Sequence, residues 1–368
     1  GELGILLDEP RLLEPLKALG ADMLETLIID PLVFGDVTGK CMQRPVGCCI
    51  GYIKEDRFIR RFLGMFLKEH HRIITDSIGV IKIPTHYWSS QLVGAVVVGE
   101  LFKKLGEKVE YVPMDSQTVY QAMADGDIDI VHEVWEGAFG ASFDKSLATG
   151  NVIDLLTHDA VTREDWWYPV YIEEVCPGLP DWEALAKCSD MFARADSGGK
   201  GVFIGGRVDW LKHDAEKVEA LGMNFVVRNA GSAGAIWAEL DAAVAQKKPV
   251  VIFNWSPNFT DAMYGGKFVK FPPWSEECLV NPSWGPNPDA TGDCGSPPSG
   301  YIKKAAWHGM PIKWPSAYKA LTRINFTTNM IAKLSIYVDI DKMNYSDAAK
   351  KWIEENQKSV DLWFSKNL

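Results

Sequence analysis

From Ser77 onward the sequence alternates between short apolar segments typical of strands and longer segments typical of helices, and this alternation restricts the fold more than any other feature. The first strand is predicted at 78–83, and the helix that follows at 91–105 is apolar nearly all round. Strands at 109–114 and 128–135 enclose a second helix, and a further short strand is predicted at 152–155. Repeats of this kind predict parallel βαβ units with right-handed crossovers, so we expect an α/β fold.

Three predicted strands place a tryptophan at or just after their carboxyl ends, namely Trp88, Trp135 and Trp255. In an open α/β sheet, ligands bind outside the carboxyl ends of the strands. Indole faces attract cations, and Glu133 and Glu136 add negative charge beside Trp135. Each tryptophan taken alone is equally well explained as a core residue. Their shared position predicts a cleft that binds a cation.

Composition excludes several classes of function. The chain has 368 residues and a formal net charge of −11, which argues against nucleic-acid binding. Its 14 tryptophans are many for this length and indicate recognition through flat ring faces as well as core packing. No apolar run reaches the roughly 18 residues of a membrane span. No secretory signal peptide is recognisable in the opening residues of this sequence.

Residues 1–76 differ from the rest of the chain. A helix-like amphipathic segment at 12–27 is followed by several glycines and by a basic stretch from Lys54 to Arg72. None of the tryptophans at the strand ends lies here. We assign no function to this segment and expect its removal to leave ligand binding unchanged.

Two further groups of residues are placed to contact a ligand. The tandem Trp166 and Trp167 open an extended segment, where they suit hinge packing and a pocket wall equally well. A predicted strand at 201–204 ends just before Gly205, Gly206 and Arg207. The backbone N–H groups of the two glycines and the guanidinium of Arg207 can bind a ligand oxygen.

These segments, in this order, resemble substrate-binding proteins of ABC importers for quaternary ammonium compounds such as glycine betaine, choline and carnitine. The resemblance covers residues 77–368 and rests on YQAMADGDIDI at 120–130, EVW at 133–135, WWYP at 166–169 and FNWSP at 253–257. The Cys-bearing, Trp- and Pro-rich insertion after Pro272 is most similar to the branch that includes trimethylamine N-oxide-binding proteins. Residues 1–76 have no counterpart in the family.

The resemblance implies a two-lobed periplasmic-binding-protein fold of type II, with a mostly parallel sheet flanked by helices in each lobe. Residues 77–165 and 256–368 would form lobe 1, with an insertion at 272–300, and residues 166–255 would form lobe 2. A methylated cation would lie between the lobes in an aromatic box of Trp88, Trp135 and Trp255, with Trp166 or Trp167 as a fourth wall. Glu136 would bridge the lobes when they close.

The function implied is that of an extracytoplasmic, periplasmic and monomeric solute-binding component that delivers its ligand to a membrane permease without a cofactor. Trimethylamine N-oxide is the favoured ligand, and glycine betaine, choline, carnitine and dimethylsulfoniopropionate are alternatives. A second alternative is an enzyme that acts on a methylated amine, with His86 or His132 as general base. The sequence contains no nucleophile elbow, H-E-x-x-H motif or phosphate loop, which argues against an enzyme.

The insertion carries two further expectations. Oxygen-bearing side chains alternate along it with the spacing of a Ca²⁺ loop, at Asn287, Asp289, Thr291 and Asp293. The glutamate that usually completes such a loop is missing, and a solvated turn is the alternative interpretation. Cys278 and Cys294 bracket this loop, as Cys176 and Cys188 bracket another. In an oxidising compartment each pair is expected to form a disulfide, whereas a cytosolic location would leave four thiols.

Overall fold

A computed structural model of the protein describes residues 79–364. The described residues belong to one compact unit, Gly79–Leu368. The predictions for residues 1–76 therefore lie outside the described residues. Within 79–364, no helix is both long and apolar enough to cross a membrane.

The first βαβ unit forms as the sequence predicts. Strands β1 (Ile81–Thr85) and β2 (Val109–Pro113) pair in parallel, and helix α1 (Ser89–Lys104) connects them. The helix is buried on most sides because its small residues allow close approach. A Cβ atom added at Gly94 would lie 2.7 Å from Nε2 of His132. The apolar composition of this helix therefore reflects burial in the core, as expected.

The larger sheet is mixed rather than mostly parallel. Its strands are β3 (Ile130–Trp135), β4 (Val152–Pro169), β5 (Gly201–Gly205), β6 (Phe225–Asn229), β7 (Val251–Ser256), β8 (Gly266–Phe268) and β9 (Gly300–Trp307). They are ordered β3-β9-β4-β7-β5-β6, with β8 paired to β4. The β5–β6 and β5–β7 pairs are parallel, whereas β9 is antiparallel to both of its neighbours. The α/β architecture is as predicted, but β9 adds antiparallel pairing that the sequence did not indicate.

Strand β4 connects the two halves of the described structure. It extends over 18 residues, far beyond the short strand predicted at 152–155. Up to Thr162 it pairs with β9, and from Arg163 onward it pairs with β7 and β8. We call the part built around β1, β3 and β9 the first half and the part built around β5, β6 and β7 the second half. The residues near Thr162 and Arg163 therefore lie at the junction between the halves.

The remaining helices are short to medium in length. They are α2 (Thr118–Asp125), α3 (Glu136–Leu147), α4 (Trp182–Lys187), α5 (Asp214–Ala220), α6 (Ala233–Ala245), α7 (Thr260–Met263), α8 (Met310–Lys313), α9 (Pro315–Arg323), α10 (Thr328–Ser335), α11 (Tyr345–Glu355) and α12 (Gln357–Phe364). Ser232, Thr327 and Asn344 cap α6, α10 and α11, because each side chain accepts a hydrogen bond from a backbone N–H in the first turn. Short 3₁₀ turns lie at Val170–Glu174, Ser189–Phe192, Val208–Trp210 and Glu276–Leu279, and a π-helical turn lies at Ile336–Ile340.

The carboxyl-terminal helices complete the core of the first half. Trp352 and Trp363 are buried and stack with their ring centroids 6.2 Å apart. Phe326 meets both rings edge-on. These two tryptophans are therefore core residues and take no part in the site.

The insertion at 272–300 is mostly irregular. Among its described residues before β9, the one regular segment is the 3₁₀ turn at Glu276–Leu279. Both predicted cysteine pairs form disulfides in the structure, Cys176 with Cys188 and Cys278 with Cys294. Cys176, Cys278 and Cys294 are buried. Each disulfide therefore closes a short loop, and three of the four cysteines are shielded from solvent.

Candidate ligand-binding site

A cavity lies between the two halves and is lined mainly by aromatic side chains; its volume is about 260 Å³ when the open space at its mouth is included. The first half contributes Trp88, Trp135, Ala138 and Phe139, and the second half, with the junction, contributes Glu164, Trp210, Phe253 and Trp255. The cavity therefore suits a compact ligand that tolerates an apolar, electron-rich surrounding.

The structure brings together the three tryptophans predicted to form the box. Trp88 lies between β1 and α1, Trp135 is the last residue of β3, and Trp255 lies near the end of β7. All three are at most 7% exposed, although each contributes to the cavity wall. The three strands belong to different parts of the fold, and their ends still converge on one cavity.

Trp210 is a fourth tryptophan of the cavity that sequence reasoning missed. Its ring lies edge-on to Trp88 at 5.9 Å and edge-on to Trp255 at 5.5 Å, so it closes the box from the second half. It lies in the 3₁₀ turn at Val208–Trp210, five residues after the end of β5. The signal in the sequence was a tryptophan shortly after the glycine pair that ends a predicted strand.

Trp166 and Trp167 lie outside the cavity lining, so the prediction of either as the fourth wall is not what the structure shows. Trp166 is fully buried, stacks on Phe203 at 3.7 Å, and donates its indole N–H to Oδ1 of Asp214 at 2.7 Å. Trp167 packs closely against Gly266. The physical reason is that β4 continues past the cavity into the core of the second half before it reaches these residues.

Glu164 is the carboxylate in the cavity wall, and sequence reasoning missed it too. Its Oε1 accepts a hydrogen bond from Lys212 at 2.7 Å, and both side chains are only 7% exposed. Its Oε2 is buried and has no hydrogen-bond partner among the described residues. A buried carboxylate oxygen without a partner is energetically unfavourable, which makes this atom a candidate to face a ligand cation.

Glu133 lies behind the cavity rather than in its lining. Its Oε2 accepts hydrogen bonds from the indole N–H of Trp88 at 3.0 Å and of Trp135 at 2.9 Å, with Ser90 Oγ at 3.4 Å. Burial raises the pKa of Glu133 to about 7, and the hydrogen bonds from Trp135, Trp88 and Ser90 oppose that rise. The carboxylate therefore contacts two walls of the box from the outside.

Glu136, which we expect to bridge the lobes when they close, makes its hydrogen bond within the first half in this structure. It begins α3, where a negative charge interacts favourably with the helix dipole. Its Oε2 accepts a hydrogen bond from the backbone N–H of Tyr301 in β9 at 3.2 Å. Because β9 and α3 both belong to the first half, this contact is internal to that half.

Gly205, Gly206 and Arg207 also lie outside the lining. Gly206 allows Trp210 to approach closely, since an added Cβ atom would lie 2.5 Å from the indole ring. The Arg207 guanidinium lies 3.7 Å from the centre of the Tyr87 ring, which belongs to the first half. The glycine thus serves packing of the box, and the arginine contacts the opposite half at the edge of the cleft.

A second contact between the halves involves Asp209. Its Oδ2 accepts a hydrogen bond from Ser116 Oγ at 2.7 Å, and its Oδ1 accepts one from Arg207 Nε at 2.6 Å. Ser116 belongs to the first half and Asp209 to the second. Together with the contact between Arg207 and Tyr87, this hydrogen bond holds the halves together beside the cavity.

The four predicted calcium ligands have different environments. Asp293 is fully buried, and its Oδ2 accepts a hydrogen bond from the backbone N–H of Asn287 at 2.7 Å. The Asn287 side chain donates to Ala220 O at 2.8 Å and accepts from Asp289 N at 3.0 Å. Asp289 is exposed and Thr291 is half-buried. Among the described residues, no group of three or more His, Cys, Asp or Glu side chains could hold a metal ion.

The two histidines considered as general bases lie outside the cavity lining. His86 stacks on Trp88 with ring centroids 5.3 Å apart, and burial lowers its pKa to about 4. Burial likewise lowers the pKa of His132 to about 3. Both imidazoles are therefore neutral near pH 7 and lie behind the wall of the cavity.

The chain belongs to the family described as the substrate-binding domain of ABC-type glycine betaine transport systems, which it matches over residues 79–355. It is a substrate-binding component of an ABC importer, with the two-lobed α/β fold of that class, and the family is one of transport proteins rather than enzymes. Proteins of this class bind small solutes outside the cytoplasm for an ABC transporter.

Among curated proteins, the chain is similar to the trimethylamine N-oxide-binding protein of Pelagibacter ubique (strain HTCC1062). The two are 44% identical over 300 residues, which cover 79% of this chain and 92% of the relative.

Two solved structures share the fold. One is lactococcal OpuAC in its closed conformation with glycine betaine, with a TM-score of 0.59, 22% identity, and coverage of 77% of this chain and 99% of that one. The other is an ABC-transporter choline-binding protein with choline, with a TM-score of 0.63, 17% identity, and coverage of 78% and 92%.

Proposed function

We propose that this protein captures a small methylated onium compound, with trimethylamine N-oxide favoured, and presents it to an ABC permease. The observation that carries the proposal is one cavity walled by four indoles and one buried carboxylate: Trp88, Trp135, Trp210, Trp255 and Glu164. A trimethylated nitrogen has no N–H to donate, so ring faces and nearby negative charge are what can recognise it. The 44% identical relative is a trimethylamine N-oxide-binding protein, which supports the same ligand class.

The magnitudes are sufficient for tight binding. Each ring contributes roughly 0.5 to 2 kcal/mol, the larger value applying when water is excluded. Four rings in a buried cavity therefore supply several kcal/mol, and apolar contact adds more. Micromolar affinity requires about −8 kcal/mol, which this box reaches if the two halves close over the ligand.

The polar atoms of the cavity favour a ligand with a small oxygen group. Trp210 and Glu164 line the cavity, and the buried atoms Trp210 Nε1 and Glu164 Oε2 lack a hydrogen-bond partner among the described residues. The indole N–H groups of Trp88 and Trp135 already bind Glu133. One N–H donor suits a single N-oxide oxygen, whereas the carboxylate of glycine betaine or carnitine would need more donors. Choline and dimethylsulfoniopropionate remain alternative ligands for the same box.

The lobes and the location form part of the same proposal. We take residues 77–165 with 256–368 as lobe 1 and residues 166–255 as lobe 2, because β4 changes its pairing partner near this point. The two disulfides suit a periplasmic location, since oxidising compartments preserve them. A monomer that delivers ligand to the permease fits this arrangement.

The proposal includes no metal for ligand capture. Asn287 and Asp293 already take part in hydrogen bonds that shape the insertion loop, and Asp293 is buried. A calcium ion would have to compete with these bonds. Loss of thermal stability on adding a chelator, abolished by Asp289→Ala, would instead support calcium in this loop.

Calorimetric titration with trimethylamine N-oxide, glycine betaine, choline, carnitine and dimethylsulfoniopropionate tests the proposal. We expect trimethylamine N-oxide to bind most tightly, with a dissociation constant on the order of micromolar. Tighter binding of glycine betaine by about tenfold or more, which is about 1.4 kcal/mol, would move the assignment to that ligand. Absence of binding to all five compounds would reject the function.

A further inference from the structure

Glu133 has a geometry that the cation-binding function alone does not require. One oxygen atom, Oε2, accepts the indole N–H of two different walls of the box, Trp88 from the β1–α1 connection and Trp135 from the end of β3. The carboxylate is only 1% exposed, and its Oε1 has no hydrogen-bond partner among the described residues. A carboxyl group in such a place is costly to ionise, and the two indole N–H groups offset part of that cost.

The two hydrogen bonds fix the orientation of the rings. An indole bound through Nε1 cannot rotate about its side-chain bonds without breaking that bond. Because both rings share one acceptor atom, the orientation of Trp88 is coupled to that of Trp135. Phe139 and His86 stack near Trp88 with ring centroids at 5.9 and 5.3 Å, which further limits the position of that ring.

The same hydrogen bonds also change the electrostatics of the box. A carboxylate that accepts an indole N–H pushes electron density toward the ring, and its own charge adds negative potential behind both walls. At low local dielectric constant this effect is larger than it would be in water. A cation in the cavity therefore experiences Glu133 without touching it.

We propose that Glu133 is the positioning residue of the box, which locks Trp88 and Trp135 through one shared oxygen and strengthens their attraction for a cation. This inference rests on the proposed onium-binding function and extends it to a residue outside the cavity lining. It predicts that removal of the charge weakens binding of cations specifically, even when the rings keep their positions.

Glu133→Gln separates the two contributions. The amide keeps an acceptor oxygen of similar position and removes the charge. Asp214→Asn is the matched control, because Asp214 is also a buried carboxylate that accepts an indole N–H, from Trp166, and lies outside the cavity lining. Melting curves of both variants identify any general loss of structure.

The probes are tetramethylammonium, trimethylamine N-oxide and their uncharged analogue tert-butyl alcohol, the last measured by displacement if its binding is weak. The titrations are done well above the Glu133 pKa of about 7, where the carboxylate is ionised. There we expect Glu133→Gln to weaken tetramethylammonium binding by about tenfold or more, and tert-butyl alcohol binding by less than about threefold. Asp214→Asn should change neither ligand's affinity by more than about threefold. Unchanged cation affinity in Glu133→Gln, or equal losses for the cation and the alcohol, would overturn the proposal.

A double-mutant cycle provides a test that does not depend on Glu133→Gln being fully stable. Trp135→Phe removes one indole N–H, and its effect on cation affinity should be clearly smaller in the Glu133→Gln background than in the wild type. Additive effects would contradict the coupling. If wild-type protein binds no onium compound, the proposed function fails and this inference fails with it, whereas wild-type binding with an unaffected Glu133→Gln rejects the inference alone.

Discussion

At the scale of single residues, Trp210 and Trp166 provide the sharpest contrast. Trp210 lines the cavity, whereas Trp166 is fully buried against Phe203. We expect Trp210→Ala to weaken trimethylamine N-oxide binding by about 1 to 3 kcal/mol, since it removes ring attraction and packed surface. Trp166→Phe should lower the stability of the protein and leave its affinity nearly unchanged. Trp284 lies in the exposed part of the insertion, so Trp284→Ala should change neither stability nor affinity. Calorimetric titration of each variant measures these affinities. If Trp166→Phe lost as much affinity as Trp210→Ala, the assignment of Trp210 to the cavity wall and of Trp166 to the core would be contradicted.

Single residues also show where sequence reasoning reached its limit. Trp88, Trp135 and Trp255 were predictable because strand ends converge on one side of an α/β sheet. Trp210 follows its strand by five residues, and the path of that turn depends on packing between Gly206 and the indole. Glu164 was not recognisable because the side chain that enters the cleft depends on where β4 crosses between the halves.

Glu133 leads to a prediction about pH. Burial raises its pKa from 4.5 to about 7, so between these values the folded state binds a proton more readily than the unfolded state. Its contribution therefore makes the free energy of unfolding decrease as pH rises through this window. Glu133→Gln lacks this titration, so its stability relative to the wild type should increase with pH by up to about 3 kcal/mol.

Urea denaturation of both proteins at several pH values measures this difference. The buried histidines and Asp214 titrate in both proteins, so they cancel from the difference. A stability difference between the two proteins that stays constant across the window would show that Glu133 does not titrate there.

At the scale of elements, the insertion at 272–300 is held by covalent and polar contacts. Its disulfide joins Cys278 to Cys294, and the backbone N–H of Ser296 donates to Asp165 at 2.9 Å, next to Glu164 in the cavity wall. We expect Cys278→Ser with Cys294→Ser to lower the free energy of unfolding by about 3 kcal/mol, because a short closed loop is opened.

Chemical denaturation of the oxidised protein and of this double variant checks the prediction. Cys176→Ser with Cys188→Ser serves as a comparison that opens a loop elsewhere in the second half. Equal stability of the wild type and the Cys278/Cys294 variant would mean that hydrogen bonds alone hold the insertion.

The elements show a similar limit of prediction. The repeated strand–helix pattern was sufficient to predict β1, α1 and β2, because local periodicity determines them. Strand β4 was predicted too short, since polar residues such as Asp154 and His158 interrupt its apolar pattern. The antiparallel pairing of β9 depends on a contact about 150 residues distant in sequence, which local patterns do not encode.

At the scale of the whole molecule, contacts between the halves should control ligand release. Asp209→Ala removes the hydrogen bond from Ser116 and the ion pair with Arg207 without changing a lining residue. We expect faster dissociation and a loss of affinity of about 1 kcal/mol, the usual contribution of one hydrogen bond. Stopped-flow tryptophan fluorescence measures the rate.

Asp196→Ala is the matched control, because Asp196 pairs with Arg228 within the second half and its side chain is 72% exposed. It should leave the dissociation rate unchanged. A dissociation rate for Asp209→Ala equal to that of the control would mean that the contact between Ser116 and Asp209 has no part in closure.

The central claim is that the box recognises positive charge rather than merely apolar shape. The most direct measurement is titration of the wild-type protein with trimethylamine N-oxide and with tert-butyl alcohol, which has a similar shape and no formal charge. Four rings and the Glu164 carboxylate predict that the N-oxide binds at least about 100-fold more tightly, a difference of about 3 kcal/mol. Equal affinity for the two compounds would contradict recognition of charge and reduce the site to an apolar cavity.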